Sequence, residues 1–306
     1  GTKLLCFDRD GKFLKKFEAR GNGPDEYFML CFLAADPVSK KILVADDVVR
    51  KIFIFDEFLN LEHVVKVDFT PKQVIAFRDD MILRYENDNK EQYQDSLLRD
   101  YDLHWIDLKG DVVQGMIRNR TPKYGLSFLS ASGYLDNGDI LYYPTLGDTV
   151  YRVAVSERTV SPAYIIESGD EDVKLLNDEQ RREMDPNAEL PEYEKRNYFF
   201  PVEFFNVGSH ILLRSGMDDM YLYSKNSGNA IRYDKTLENM SGDRTFDYLT
   251  SIIYACDGDW CYGPHHAITL QYMAKDYGFS GKYKAMIDSM ETDANLFLAC
   301  FKVKDF

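Results

Sequence analysis

No apolar run in these 306 residues approaches the ~18 that a membrane-crossing helix needs, and no secretory leader opens the chain. Basic charge is also scarce. Against 51 Asp and Glu stand 37 Lys and Arg, a net charge of −14. That balance argues against DNA, RNA and anionic membrane surfaces, all of which need a basic footprint. Acidity of this kind serves solubility first.

Cysteine is sparse, and its number is odd. Five thiols exclude a fully paired disulfide framework. Cys256 and Cys261 flank Asp-Gly-Asp-Trp; if Gly258-Asp259 forms a two-residue hairpin turn, their sulfurs face each other within bonding reach. Free thiols are the default reading, and the spacing does not suit zinc, because no second pair follows. Catalytic signatures are missing as well: the chain has no G-x-S-x-G elbow, no H-E-x-x-H helix and no glycine loop ending in Lys-Ser/Thr. Asp257-Gly-Asp259 and Asp136-Asn-Gly-Asp139 lack the later bidentate Glu of a calcium loop and read as hairpin turns.

Aromatic residues, by contrast, are abundant: 21 Tyr and 20 Phe, a load that suits strands better than helices. Short strand-like runs are separated by tight polar turns. Leu4–Phe17 reads as a hairpin turning at Asp10-Gly11. The glycine-rich stretch Arg20-Gly-Asn-Gly-Pro-Asp-Glu-Tyr27 follows, shaped by two glycines and a φ-locked proline. Pro24 and Tyr27 break any dinucleotide fingerprint there. Beyond it lie Phe28–Ala35, Lys41–Asp46 and Lys51–Asp56, a pattern predicting an antiparallel meander.

The pattern G-x-G-P-x-E-Y, a strand, I-x-V-x-D and then K-I-x-x-F-D resembles NHL-like repeats, and more narrowly the six-bladed β-propellers of bacterial cell envelopes. Asp148-Thr-Val-Tyr-Arg152 resembles another segment of that family. The resemblance implies an exported protein, periplasmic or extracellular, commonly lipid-anchored, whose signal and anchor would precede Gly1.

Five blade-like units can be laid along the chain, the fifth giving way to a helical segment after two strands, with second strands ending near Asp46, Tyr85, Pro144, Ser215 and Pro264. Their shortest spacing is close to the ~40–50 residues of known blades. Longer intervals coincide with insertions, two of them helical: 170–197 and 267–290, the latter broken at Gly278. Leu249–Ala255 is read as the first strand of unit five. The hairpin at Leu4–Phe17 and the strand Asn295–Val303 would make a sixth, composite blade, one strand short, closing the ring and removing sheet edges. The expected fold is therefore all-β, a six-bladed propeller of four-stranded antiparallel blades closed by N- and C-terminal strands, forming a single domain over residues 1–306.

In such a blade the loop after strand two and the loop entering from the previous blade emerge on one face. The glycine-rich turn is an entering loop. This logic gathers Arg20, Asn22, Asp46, Arg84, Tyr85, Tyr143, Arg214, Tyr262 and His265 into a polar mouth suited to a glycan, peptide or protein ligand. Each residue also has a plainer role. Glu26 would lock its turn through backbone amides, and the strand-ending Asp8, Asp46 and Asp56 would form Asx turns. His63, His104 and His210 read as packed strand residues, while His265-His266 stays open between capping a helix and binding a ligand. The function expected is a non-enzymatic, monomeric binding or scaffold module of the cell envelope, without cofactor or metal. The alternative is a hydrolase or lyase with a metal such as Ca²⁺ in the central channel, for which Glu203 and Asn206 are the best oxygen donors.

Overall fold

A computed structural model of the chain describes residues 3–8, 11–71, 73–85, 93–118, 132–134, 138–143, 149–166, 201–215, 219–234, 244–251, 253, 255–276, 278–291 and 297–303. Its strands form small antiparallel sheets, each ordered as the chain runs. A hairpin of β1 (Leu4–Phe7) and β2 (Phe13–Phe17) comes first. Blade one is β3 (Phe32–Asp36), β4 (Lys41–Asp46), β5 (Lys51–Phe55) and β6 (Leu61–Lys66). Blade two is β7 (Val74–Arg78), β8 (Met81–Tyr85), β9 (Tyr101–Asp107) and β10 (Val112–Arg118), with the short helix α1 (Ser96–Asp100) leading into β9. Blade three is β11 (Ser132–Tyr134), β12 (Ile140–Tyr142), β13 (Thr149–Ala154) and β14 (Thr159–Ile165). Blade four is β15 (Pro201–Val207), β16 (His210–Ser215), β17 (Asp219–Ser224) and β18 (Ala230–Asp234). Blade five has three strands, β19 (Ala255–Asp257), β20 (Trp260–His265) and β21 (Phe297–Lys302). Helices α2 (Arg244–Ser251), α3 (Ala267–Asp276) and α4 (Lys282–Asp288) accompany it.

The burial pattern shows how the blades stack. Ile52, Phe53, Ile54 and Phe55 of β5 are all fully buried rather than alternating, because both faces of the blade are covered. Leu43, Ile52 and Ile54 pack toward Phe77, Ile82 and Ile106 of blade two. On the other face Val44, Phe53 and Phe55 pack with Tyr27, Leu30 and Phe17. The same arrangement carries around the chain: Leu83 and Trp105 meet Tyr142 and Val153, Tyr143 and Val150 meet Phe204 and Leu213, and Leu212 and Met220 meet Cys261. Each core is thus a layer between consecutive blades, the packing of a β-propeller.

Among the described residues the blade count is five, not six. Of the expected strand Asn295–Val303, the described residues Phe297–Lys302 form β21, which pairs along its whole length with β20, from Trp260↔Lys302 to His265↔Phe297, and not with the N-terminal hairpin. The helical insertion explains why. Helices α3 and α4 sit between the second and third strands of blade five, so β21 returns to the open edge of β20 and completes that blade. Leu270, Phe279 and Ile287 of the helical segment then pack with Leu249 against Phe297 and Ala299, on the face of β21 that also carries Phe301. The first blade is covered instead by β1–β2, through Leu4, Cys6 and Phe17.

A second correction concerns Leu249–Ala255. Thr245, Leu249 and Ile253 are buried at steps of four, so the segment starts as helix α2, and the strand shrinks to Ala255–Asp257. The break expected at Gly278 is present: its φ is +59°, and α3 ends two residues earlier. The insertion at 170–197 lies outside the described residues.

Candidate functional site

The glycine-rich turn is held from within. Gly23 N–H donates to Glu26 Oε2 at 2.6 Å, and a Cβ on Gly21 would stand 2.1 Å from that oxygen, so a side chain there would displace the carboxylate. Tyr27, fully buried, anchors the turn between Phe17 and Phe53. From below, Lys51 Nζ donates to the carbonyls of Gly23, Pro24 and Glu26 at 2.6, 3.1 and 2.8 Å. Glu26 and Tyr27 therefore build the turn, as the plainer reading has it.

Asp46 closes the same site. It ends β4 and is fully buried. Its Oδ2 accepts from the amides of Phe28 and Met29 at 2.6 and 2.9 Å, and its Oδ1 from those of Val48 and Val49 at 2.9 and 3.1 Å. One carboxylate thus ties the loop entering blade one to the loop leaving its second strand. Both emerge on one face, as propeller geometry requires. Cys31 Sγ donates to Asp47 Oδ1 at 2.9 Å beside this knot, and burial pushes its thiol up.

Other candidates at second-strand ends turn inward too. The Arg84 guanidinium, fully buried, lies 4.3 Å from the ring centre of Phe69 on the segment entering blade two. His265 Nε2 lies 3.1 Å from the carbonyl oxygen of Leu249, on the segment entering blade five, with its ring stacked on Phe297 at 5.5 Å. Tyr143 is fully buried and stacks on Phe204 of the next blade at 6.2 Å. Tyr262 is half-buried, three residues from His265 on one strand and hence on the opposite face, and burial raises its phenol. The side chains of Tyr85 and Arg214 lie outside the described residues; their backbones sit opposite Leu103 in β9 and Glu203 in β15. Among the described side chains of the predicted set, Arg20 and Asn22 are the ones open to solvent.

The sequence profile of DUF4934, a domain of unknown function, matches residues 2–302. The chain belongs to that family. No curated protein matches it. Among solved structures, a candidate exported protein of Bacteroides fragilis is similar over 99% of this chain and 85% of its own, with a TM-score of 0.70 at 16% identity. A DUF4221 member from Bacteroides vulgatus aligns over 76% and 75%, with a TM-score of 0.46 at 10% identity. BamB from Moraxella catarrhalis aligns over 73% and 56%, with 0.43 and 10%. The first of these supports the fold.

What this DUF4934 protein shows to solvent at the knot is apolar and cationic. Phe28, Met29 and Val48 are 45%, 42% and 51% exposed, and the Arg20 guanidinium lies 5.4 Å from the Phe28 ring centre. Sequence reasoning misses these apolar residues because Phe28 and Met29 look like the start of the innermost strand, which instead begins at Phe32. Their signal is position: apolar residues directly beside a shaped turn and an Asp-Asp step, where a solvated loop is otherwise polar.

Burial lowers the His265 pKa below its ordinary value, against a smaller raising effect of the Leu249 carbonyl. The unfolded chain then binds the proton more readily, so the neutral ring stabilises the fold fully above about pH 6.5, and that contribution is lost as pH falls toward the depressed folded value. Melts between pH 7.5 and 5.5 should show stability falling with pH. His265→Gln, which keeps a donor for Leu249, should flatten the slope; an unchanged slope would mean that His265 is not its source.

Proposed function

We propose that this DUF4934 protein is a non-enzymatic, exported binding module of the bacterial cell envelope, a single-domain monomer whose blade-one rim takes a polypeptide partner. The observation that carries the reading is the Asp46 knot. Four backbone amides fixed by one buried carboxylate hold Phe28, Met29 and Val48 in place beside Arg20. A rigid apolar group next to a cation loses little entropy on binding and matches a peptide carrying apolar and acidic side chains. The inward-facing Arg84, Tyr143 and His265 leave less for a polar bowl that would favour a glycan. Export is supported by likeness in fold to the candidate exported protein of Bacteroides fragilis. Of the two donors expected for a channel metal, Asn206 accepts instead from Lys225 Nζ at 2.7 Å, and the Glu203 side chain lies outside the described residues.

A peptide-display selection on the purified chain tests this. The expected outcome is enrichment of acidic–apolar sequences, with binding weakened at least ~10-fold by Arg20→Glu or by Phe28→Ser, about 1.4 kcal/mol each. Melting temperatures should change little, since both side chains lie at the exposed surface. No enrichment, or binding indifferent to both substitutions, contradicts the reading.

A further inference from the structure

Blade five carries a feature with no part in the rim. Strands β19 and β20 form a hairpin around Gly258-Asp259, with Gly258 at φ +54° and the register Asp257↔Trp260, Cys256↔Cys261. In a two-residue hairpin the closing pair, here Asp257 and Trp260, exchanges the ladder hydrogen bonds, so the next pair outward is the non-hydrogen-bonded one. Its Cα atoms stand about 4.5 Å apart, with side chains at their closest. Cys256 and Cys261 occupy that pair. Their sulfurs are 3.5 Å apart, with the Cys256 thiol directed at Cys261 Sγ. Cys256 is half-buried and Cys261 fully buried, while the other thiols lie apart: Cys6 on β1, Cys31 beside Asp47, Cys300 on β21.

From this geometry we infer that Cys256 and Cys261 are a dithiol that closes into a disulfide, fastening the three-residue first strand of blade five to its second strand. The Cα separation falls at the short end of the disulfide range, so only the sulfurs need to move. Short β19 has few ladder bonds of its own and packs against β15 of blade four, so the link would secure one interblade contact. The oxidant required is a disulfide of low molecular mass or of an oxidoreductase. The Cys256 thiolate, its proton released to water, attacks one sulfur of that disulfide; the S–S bond breaks and one half leaves as a thiolate that takes up a proton. The Cys261 thiolate then attacks Cys256 Sγ and displaces the second half. Two protein thiols are oxidised by two electrons, and one disulfide is reduced to two thiols. Such a bond persists in an oxidising compartment and opens in a reducing one.

The test uses the full chain with Cys6, Cys31 and Cys300 replaced by serine, leaving only this pair. The protein is treated with oxidised glutathione both while folded and during refolding from the reduced, denatured state. It is then alkylated and weighed by intact-mass spectrometry. The expected result is the loss of two hydrogens and of both alkylation sites, reversed by dithiothreitol. With Cys261→Ser added, a single glutathione adduct should remain on Cys256. Two alkylatable thiols after both treatments, or two glutathione adducts without an internal bond, would overturn the inference. A far-ultraviolet dichroism spectrum equal to that of the parent chain shows that each variant is folded when read.

Discussion

Replacing Asp46 by alanine is expected to lower the unfolding free energy by about 4 kcal/mol, among the larger effects of a single substitution in a folded domain. The carboxylate accepts from four backbone amides, two on the segment entering blade one and two on the turn after β4. Hydrogen bonds to a charged acceptor contribute about 1.5–3 kcal/mol each, and several of these amides can recover water once the side chain is gone, which keeps the sum well below the four-bond total. Asp46→Asn should cost roughly half as much, since an amide keeps one accepting oxygen and turns the other position into a donor facing N–H groups. Urea unfolding of the two variants reads both values. A loss under about 1 kcal/mol for Asp46→Ala would mean that the two loops hold together without their shared carboxylate. Peptide binding at the rim should fall alongside stability, because Phe28, Met29 and Val48 lose the backbone that fixes them.

Gly110→Ala should destabilise by about 3 kcal/mol, from a different cause. Gly110 sits at φ +94° in the β9–β10 turn, where a new Cβ would stand 2.1 Å from the Lys66 carbonyl oxygen at the end of β6. That atom is backbone of the neighbouring blade and cannot swing aside. Left-handed backbone costs a non-glycine residue about 1–2 kcal/mol, and overpacking adds about 1–3. Gly11 is the control: φ +81°, with nothing within 4 Å of the added Cβ. Gly11→Ala should therefore show only the backbone part, about 1 kcal/mol. Equal melting shifts for the two variants would contradict the close approach of blades one and two.

Asp36 fixes the same junction from the inner side. Its Oδ2 accepts from the Phe77 amide at 2.9 Å and from Arg78, while its Oδ1 caps the turn at Val38 at 3.0 Å. A strand-ending aspartate thus does two jobs, closing its own turn and joining the next blade. The sequence announces the first and hides the second.

That division holds more widely. Strands and hairpin turns were legible because their determinants are local: β-branched and aromatic runs, Asp-Gly steps, and Asx turns such as Asp56, whose Oδ1 accepts from Phe58 and Asn60 at 2.9 and 2.7 Å. The Cys256↔Cys261 register was legible for the same reason, since a two-residue turn fixes it. Closure was not. Which edge β21 joins depends on α2, α3 and α4 packing against Phe297 and Ala299 of blade five, a tertiary fact with no local signature. The site was legible in location more than in content. The topology places Asp46, Arg84 and His265 at second-strand ends, yet polar residue type alone does not distinguish a side chain that reaches solvent from one that ties down an entering loop. Burial decides it, and burial follows from the layers between blades.

The central claim is that the blade-one rim is where a polypeptide docks, and site-specific photo-crosslinking tests it most directly. A benzophenone amino acid would replace Phe28 in one variant and Phe58 in another, each then irradiated with a peptide from the display selection. Phe58 is 67% exposed, on the β5–β6 turn at the opposite end of the blade, and so controls for exposed aromatic surface. A crosslink is expected at position 28 that unlabelled peptide competes away, and none at position 58. Equal labelling at both positions, or labelling at 58 alone, would contradict it.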